Sequence, residues 1–345
     1  SFCTLLAKMA TDEQRQDQVS FLRTLNAFRQ YSTSAKQQLE TRRQSVSRLR
    51  PDQLAALGGD DAVAAMFAPH ELAIEQNQRF LDAVVEEAGS LYDSYWPSQP
   101  SPPPSNSELT PTPLDIDKVF STLRQFVRDW GAEGLRERQS VYAPILQRLR
   151  QFFPTTAGKR VLLPGAGLSR LSVELAACGF DVQGNEFSYH MLIAGHFAMN
   201  HCQEPSEHLI QPFCDTTVNN FSRNDQFRVV PIPDVSAVQM METAEAQGIG
   251  FGQLSMVAGD FIEVFQKPSQ REQWDAVVTC FFIDTAHNVV EYLKIVHDLL
   301  VPGGLWLNCG PLLFHFSDQP GELSVDVTYE ELRAIALHIG FEVVE

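Results

Sequence analysis

A short apolar strand that runs into a glycine-rich turn is the feature that most constrains this chain. Residues 160–164 lead into Gly165-Ala-Gly167, and a helical pattern follows from Leu168. Two glycines let the backbone approach a ligand where a Cβ atom would clash. Arg170 stands where the dinucleotide fingerprint has its third glycine, so the turn alone is a weak signal and a tight turn without a ligand is the alternative.

The region around this turn alternates between apolar and amphipathic segments. Helical patterns cover residues 115–130 and 135–152, ahead of the first strand. Alternation of strands and helices predicts a doubly wound, mostly parallel α/β sheet of the Rossmann-like type. The predicted strands are residues 160–164, 181–185, 255–258, 274–280, 304–309 and 341–344.

The chain before residue 115 has a different character. Residues 1–97 form a helical region, in which apolar side chains recur at steps of three and four and predict a packed face. Residues 98–114 are rich in proline and serine, which favours a linker. We therefore predict a domain over 115–345, with an insertion at about 203–252 that is long enough to form a lid or a substrate wall.

Charge and cysteine content narrow the class of function. The net charge is −17, which disfavours binding to nucleic acid or to anionic membrane surfaces. The six cysteines form no CxxC pair, so free thiols in a reducing compartment are expected rather than disulfides or a zinc site. No apolar run is long enough to span a bilayer, and no secretory signal is evident. The expected location is the cytosol, with the nucleus as a second compartment.

Acidic residues at later strand ends favour a methyl-donor site over a dinucleotide site. Glu186 lies 21 residues after Gly165, where a carboxylate holds ribose hydroxyls in such folds; capping of the next helix is a compatible interpretation. Asp260 and Phe261 follow the strand at 255–258 and suit an adenine, the acid accepting from its amino group and the ring packing on it. This order resembles class I methyltransferases that use S-adenosylmethionine.

Several longer motifs narrow the resemblance to one family. From about residue 20 to the end, the chain resembles the carnosine N-methyltransferases. The motifs that carry the resemblance are Asn26-Ala-Phe-Arg-Gln-Tyr31, Gln125-Phe-Val-Arg128-Asp-Trp130, the glycine turn, Gly184-Asn-Glu186, Ala258-Gly-Asp-Phe261, Phe281-Phe-Ile-Asp284-Thr-Ala-His287-Asn288 and Gly310-Pro-Leu-Leu-Phe-His315-Phe316.

The resemblance implies an activity and a set of site residues. The family methylates the imidazole of carnosine, a small histidine-containing dipeptide, and produces anserine. Gln125 and Arg128 match a cofactor-binding pair, and their spacing places them on one helix face. Asp284 and His315 match the residues that engage the substrate imidazole, and these two are the catalytic candidates. Cys280 is interpreted as a cofactor contact or a packing residue, and no metal is required.

Other interpretations stay open at this point. The same chemistry suits a protein histidine methyltransferase, and a catalytically silent cofactor-binding scaffold is a third alternative. Asp284 has the residue type of a helix cap, and His315 lies between two aromatic residues, as a core histidine does. His287 is interpreted as structural. The apolar faces of the helical region are compatible with a homodimer.

Overall fold

Five parallel strands form the central sheet of this chain. The computed structural model describes residues 11–96 and 98–344, so Cys3 lies outside the described part. The strand order is β5-β2-β1-β6-β7, and β3 and β4 form a separate antiparallel pair. The doubly wound α/β expectation is therefore confirmed. The strands are β1 (Arg160–Pro164), β2 (Asp181–Glu186), β3 (His208–Ile210), β4 (Val230–Ile232), β5 (Leu254–Ala258), β6 (Trp274–Cys280) and β7 (Leu300–Cys309).

One predicted strand is wrong. Residues 341–344 have a strand-like apolar pattern, but the structure gives them no ladder to a neighbouring strand. The Phe341 N–H instead donates to the carbonyl of Ala336 in the preceding helix, at 3.1 Å. The Phe341 ring packs against Trp306 and His297, with ring centroids 5.2 Å away in each case. Apolar alternation reports burial, whereas a strand also needs a hydrogen-bonded partner.

Helices make up most of the described N-terminal region and also connect strands of the sheet. Three breaks within the predicted helical region fall at Gln30, at residues 48–50 and near Gly58, where α4 begins after a left-handed residue. The helices are α1 (Thr11–Arg29), α2 (Tyr31–Ser47), α3 (Pro51–Ala56), α4 (Gly59–Tyr95), α5 (Asn106–Leu109), α6 (Pro113–Trp130), α7 (Leu135–Phe152), α8 (Arg170–Ala177), α9 (Tyr189–Asn200), α10 (Arg223–Gln226), α11 (Ala237–Ala246), α12 (Phe261–Phe265), α13 (Val289–Leu299) and α14 (Tyr329–Ile339).

The chain divides into two compact units that interleave along the sequence. One comprises Glu137–Ser188 and the residues from Val238 onward, and contains the parallel sheet. The other comprises the described residues up to Arg136 together with Tyr189–Ala237. This division does not coincide with the predicted boundary at 98–114. Helix α6 and the β3–β4 pair are grouped with the N-terminal helices, because α6 packs on α1 and α2, and β3 packs on α4.

The proline-rich segment at 98–114 is held against the helical unit. Arg15 on α1 donates to the Glu108 carboxylate at 3.0 Å, and Asn26 donates to the carbonyl of Leu109 at 3.0 Å. Helix α5 lies inside this segment and begins at a capping box in which Ser105 and Glu108 bond to each other's backbone N–H groups. The segment therefore packs on α1 instead of acting as a spacer. The placement of a domain boundary at residues 98–114 stays a prediction.

Each unit has its own apolar core. In the helical unit the predicted stripe is buried, with Phe21, Phe28 and Tyr31 all at most 1% exposed. In the sheet unit, an aromatic cluster on one face of the sheet includes Phe261, Phe282 and Tyr292. In the described range, no disulfide joins the cysteines, which are Cys178, Cys202, Cys214, Cys280 and Cys309. None of the described helices is long and apolar enough to cross a membrane.

Candidate active site

The candidate site lies where the sheet reverses its winding direction. From β1 the chain passes to β2 and β5 on one side, and then to β6 and β7 on the other. The carboxyl ends of β1 and β6 therefore flank the topological switch point, which is where open α/β sheets bind ligands. The glycine turn follows β1, and Asp284 lies four residues after β6. The topology thus brings the glycine turn and Asp284 to the same edge of the sheet.

The glycine turn has the left-handed backbone that its sequence implies. Gly165 has φ +67° and Gly167 has φ +54°. A Cβ atom on Gly165 would lie 2.6 Å from Cδ2 of Phe282, which follows the end of β6. The Phe282 ring therefore lies too close to the Gly165 backbone to leave room for a side chain there. The N–H of Ala166 donates to the carbonyl of Asn185 at 2.9 Å, which ties the turn to β2.

Glu186 connects the glycine turn to the start of α9. Its Oε2 accepts the Gly167 N–H at 2.9 Å, and its Oε1 accepts the N–H groups of Phe187 and Ser188 at 2.9 and 2.8 Å. The carboxylate at the tip of β2 therefore accepts the N–H groups of the two residues that follow it, as the capping interpretation expects, and its contact with a ribose stays a prediction. The side chain is half-buried, so it can reach a ligand at the glycine turn.

Asp260 and Phe261 begin helix α12 directly after β5. Asp260 is its N-cap, and its Oδ1 accepts the N–H groups of Ile262 and Glu263 at 2.8 and 3.2 Å. Phe261 is 3% exposed and packs against Phe282 and Tyr292 at 5.3 and 5.0 Å. The ring is thus part of the core, and stacking on adenine through an exposed ring face stays a prediction that this packing does not favour.

Asp284 is buried in a short 3-10 turn, Ile283–Thr285, beyond the end of β6. It is 2% exposed, and its Oδ2 accepts the Leu313 N–H at 3.0 Å. None of the described residues donates to its other oxygen, Oδ1. The N-cap of α13 is Asn288, whose side chain accepts the N–H of Val290, so Asp284 does not cap that helix. A buried carboxylate with one oxygen to spare can accept a proton donor from a ligand.

The segment after β7 carries His315 back to Asp284. The His315 N–H donates to the Asp284 carbonyl at 3.0 Å. Its side chain is exposed, so it is not a core histidine. His287 stacks on Phe316 with ring centroids 3.5 Å apart, and its Nδ1 lies 3.0 Å from the carbonyl of Leu323. His287 thus holds this segment in place, which agrees with its interpretation as structural.

Cys280 is the last residue of β6 and is half-buried. It stands in register with Cys309 at the end of β7. Its position at the switch-point edge is compatible with either role expected for it, a cofactor contact or a packing residue.

Gln125 and Arg128 belong to the helical unit, on the last turns of α6. Gln125 Nε2 donates to Oδ2 of Asp129, and Arg128 Nε donates to Oδ1 of the same carboxylate, both at 3.0 Å. The predicted pair does share a helix face and a common partner. Its contact with the cofactor remains a prediction from the resemblance.

Three residues that support these positions were not singled out by sequence reasoning. Asp129 bonds to both Gln125 and Arg128, Phe282 packs on Gly165, and Asn185 joins β2 to the loop that carries Asp260 through bonds to the carbonyls of Val257 and Gly259. The available signal for Asp129 and Asn185 is that each lies inside a motif that carries the family resemblance, Gln125–Trp130 and Gly184–Glu186. No local signal marks Phe282, because its partner is distant in sequence.

Comparison with known proteins places the chain in a family. The family described as carnosine N-methyltransferase matches residues 105–345. The carnosine N-methyltransferase of Rattus norvegicus is 35% identical over 342 residues, which cover 96% of this chain and 80% of that protein. The Schizosaccharomyces pombe enzyme is 35% identical, over 96% of this chain and 90% of its own length. Carnosine N-methyltransferase unmet of Drosophila melanogaster is 33% identical, over 97% and 75%. The chain belongs to the carnosine N-methyltransferase family.

Proposed function

We propose that this protein is an S-adenosylmethionine-dependent N-methyltransferase that methylates the imidazole of carnosine and produces anserine. The observation that carries the proposal is the buried Asp284, which offers one carboxylate oxygen at the switch-point edge beside the glycine turn. The family to which the chain belongs gives the substrate class, a small histidine-containing dipeptide.

The residues around the glycine turn fit the methyl donor. Gly165 and Gly167 have no Cβ atom at two positions of the turn, and Glu186 stands at the tip of β2, where a carboxylate can accept hydrogen bonds from two ribose hydroxyls. Asp260 uses Oδ1 to cap α12, which leaves its Oδ2 for an amino group. When bound, S-adenosylmethionine supplies an electrophilic methyl group on a sulfonium.

Asp284 selects the reactive form of the substrate. A neutral imidazole carries a proton on one nitrogen and a lone pair on the other. Asp284 accepts the ring N–H through Oδ1, so the tautomer is chosen and the basicity of the opposite nitrogen rises. Burial of the carboxylate strengthens this hydrogen bond relative to water. Holding the ring in one orientation toward the methyl group contributes most of the rate acceleration.

In this proposal His315 helps to hold the substrate ring. Its backbone is tied to Asp284, and its side chain is exposed at the same edge of the sheet. It acts on orientation and binding, while Asp284 acts on the tautomer. Because the two roles differ, loss of the Asp284 carboxylate should mainly lower kcat, and loss of the His315 side chain should mainly raise KM.

A methyl-transfer assay tests the proposal. The full-length protein is incubated with S-adenosylmethionine and either carnosine or free histidine, and the methylated nitrogen is identified by NMR. We expect methylated carnosine as the main product. Transfer to histidine residues of protein substrates with none to carnosine would contradict the proposal and favour the protein-directed alternative.

We also propose cytosolic and nuclear localisation, supported by the lack of disulfides among the described cysteines, and a homodimer, supported by exposed apolar side chains such as Leu72 at 64%. Fractionation of cells and analytical ultracentrifugation test the two proposals. Recovery in a membrane or secreted fraction would contradict the first, and a purely monomeric protein at micromolar concentration would contradict the second.

A further inference from the structure

Two cysteines lie side by side at the switch-point edge of the sheet. Cys280 is the last residue of β6, Cys309 is the last residue of β7, and the two are partners in the parallel ladder. Partners in such a ladder are about 4.8 Å apart and extend their side chains from the same face of the sheet. A disulfide needs Cα atoms that are roughly 4.4–6.8 Å apart, so this pair has the backbone spacing that a disulfide requires.

Accessibility separates this pair from the other cysteines that the structure describes. Cys280 and Cys309 are half-buried, whereas Cys178, Cys202 and Cys214 are at most 6% exposed. Burial raises the pKa of the Cys202 thiol to about 12 and the pKa of the Cys214 thiol to about 11. Because the thiolate is the form that reacts with oxidants, these buried thiols react poorly. Among the described cysteines, an oxidant from solvent therefore reaches Cys280 and Cys309 most readily.

We propose that hydrogen peroxide oxidises Cys280 and Cys309 to a disulfide, and that this disulfide lowers the rate of methyl transfer. The sulfur of one cysteine attacks a peroxide oxygen, the O–O bond breaks, and the products are a sulfenic acid and water. The second sulfur attacks the sulfenic sulfur, the S–O bond breaks, and a second water leaves as the disulfide forms. The two thiols lose two electrons and two protons, and the peroxide accepts them. In reducing compartments such disulfides are transient and serve redox sensing.

The two chain segments that follow these cysteines already lie close together. The Phe281 N–H donates to the carbonyl of Cys309 at 2.8 Å. A Cβ atom on Gly310 would lie 3.0 Å from both Cα and N of Phe281. A disulfide needs Cβ atoms that are roughly 3.5–4.5 Å apart, which is less than the strand spacing of about 4.8 Å. Formation of the bond therefore draws the strand ends together and displaces the segments that follow them.

Both segments lead to the carboxylate on which the proposed reaction depends. Asp284 follows Phe281 in the first segment. Leu313 follows Gly310 in the second segment, and its N–H donates to Oδ2 of Asp284 at 3.0 Å. Displacement of the segments therefore moves the oxygen that accepts the imidazole N–H, and we expect a rate loss of about tenfold, because a misplacement of about 1 Å can cost about 100-fold. The effect on activity rests on the proposed function, whereas formation of the disulfide does not.

Peroxide treatment of the full-length protein tests both parts of the proposal. Wild type, Cys309→Ser and Cys178→Ser, a buried cysteine that serves as the matched control, are oxidised, alkylated and digested without reduction, and mass spectrometry identifies cross-linked peptides. Methyl transfer to carnosine is measured before oxidation, after oxidation and after addition of dithiothreitol. We expect the Cys280–Cys309 cross-link in wild type and in Cys178→Ser, with an activity loss of about tenfold that dithiothreitol restores. Cys309→Ser should lack the cross-link and keep most of its activity in peroxide.

Other outcomes would overturn the proposal. Wild type without the cross-link, or with either cysteine joined to a different one, would show that Cys280 and Cys309 are not a redox pair. A cross-link that leaves activity unchanged, or an equal activity loss in Cys309→Ser, would show that the disulfide does not control methyl transfer. If Cys309→Ser does not fold, Cys309→Ala takes its place, and the mapping on wild type needs no variant. An inactive reduced wild type would contradict the proposed function itself, while the mapping still decides whether the disulfide forms.

Discussion

The Leu313 N–H donates to Oδ2 of Asp284 at 3.0 Å and thereby determines which oxygen of that buried carboxylate is available to a substrate. In Asp284→Asn, the amide oxygen takes the place of Oδ2, so the amide NH2 occupies the position of Oδ1. A donor then faces the ring N–H of the substrate. We expect kcat with carnosine to fall about 100-fold or more, and cofactor affinity to change little.

Steady-state kinetics and calorimetry on the variant check this expectation. His315→Ala is the comparison, because a residue that only positions the ring should mainly raise KM. Near-wild-type kcat in Asp284→Asn would show that the carboxylate serves only to hold the Leu313 segment.

The pH dependence of the reaction follows from the substrate. Imidazole has an unperturbed pKa of about 6.5, and protonation below that value removes the lone pair that the reaction needs. We expect kcat/KM for carnosine to fall about tenfold for each pH unit below 6.5. Rates measured between pH 5.5 and 8, at a temperature where the protein remains folded at every pH, check this. A flat profile over that range would contradict attack by a neutral imidazole.

Glu186→Gln tests the ribose contact. The substitution keeps the shape of the side chain and removes the charge that accepts hydrogen bonds from the Gly167 N–H and from a ligand diol. Loss of a charged acceptor costs about 1.5–3 kcal/mol, which corresponds to roughly 10- to 150-fold weaker cofactor binding. Calorimetry with S-adenosylhomocysteine measures it, and Glu263→Gln, an exposed acid on α12, is the control. Unchanged affinity in Glu186→Gln would refute the assignment.

Gly165→Ala separates backbone strain from crowding at the glycine turn. Gly158 also has a left-handed backbone, at φ +74°, but has open space where its Cβ would lie. Gly158→Ala should therefore cost only the strain of that conformation, roughly 1–2 kcal/mol. We expect Gly165→Ala to cost more, because its Cβ also meets Phe282, and to abolish cofactor binding.

Urea unfolding of the two alanine variants and of Gly165→Ala/Phe282→Leu measures the difference. Partial recovery of the unfolding free energy in the double variant is the expected result. Equal losses for Gly158→Ala and Gly165→Ala would mean that the contact with Phe282 carries no cost.

Two histidines on α9, the buried His190 and the half-buried His196, make the fold sensitive to mild acid. Burial lowers the pKa of His190 and of His196 to about 4. Above pH 6.5 these histidines are neutral in both folded and unfolded chains, so they add no pH dependence. Between pH 6.5 and 4 the unfolded chain takes up protons that the folded chain does not. We expect the free energy of unfolding to fall through that window, by at most about 3 kcal/mol for each histidine.

Urea titrations at pH 8, 6.5 and 5 measure this slope. His190→Gln/His196→Gln should make it shallower, and His338→Gln, an exposed histidine on α14, should leave it unchanged. A slope that persists undiminished in the double variant would assign the acid sensitivity to other groups, among them His70, whose pKa burial also lowers to about 4.

The sequence by itself determined the features that depend on short stretches of chain. The glycine turn, the helical stripes and five of the six predicted strands depend on local backbone preference and apolar periodicity, and the structure has them where they were expected. The motifs from Gln125 to His315 also sufficed to identify the family. Their spacing alone could not bring them together, because residues far apart in a chain meet only through the order of strands in a sheet.

Tertiary structure decided the remaining features, because each of them depends on a contact between distant segments of the chain. Residues 341–344 have a strand pattern without a ladder, since a strand requires a neighbour as well as apolar alternation. The division into two units followed the packing of α6 and β3 rather than the composition of the proline-rich segment. Asp284 proved to be a buried acceptor instead of a helix cap, because Asn288 caps α13 and the Leu313 N–H, 29 residues away, approaches its carboxylate. Contacts between distant segments set each of these outcomes, and local sequence does not encode them.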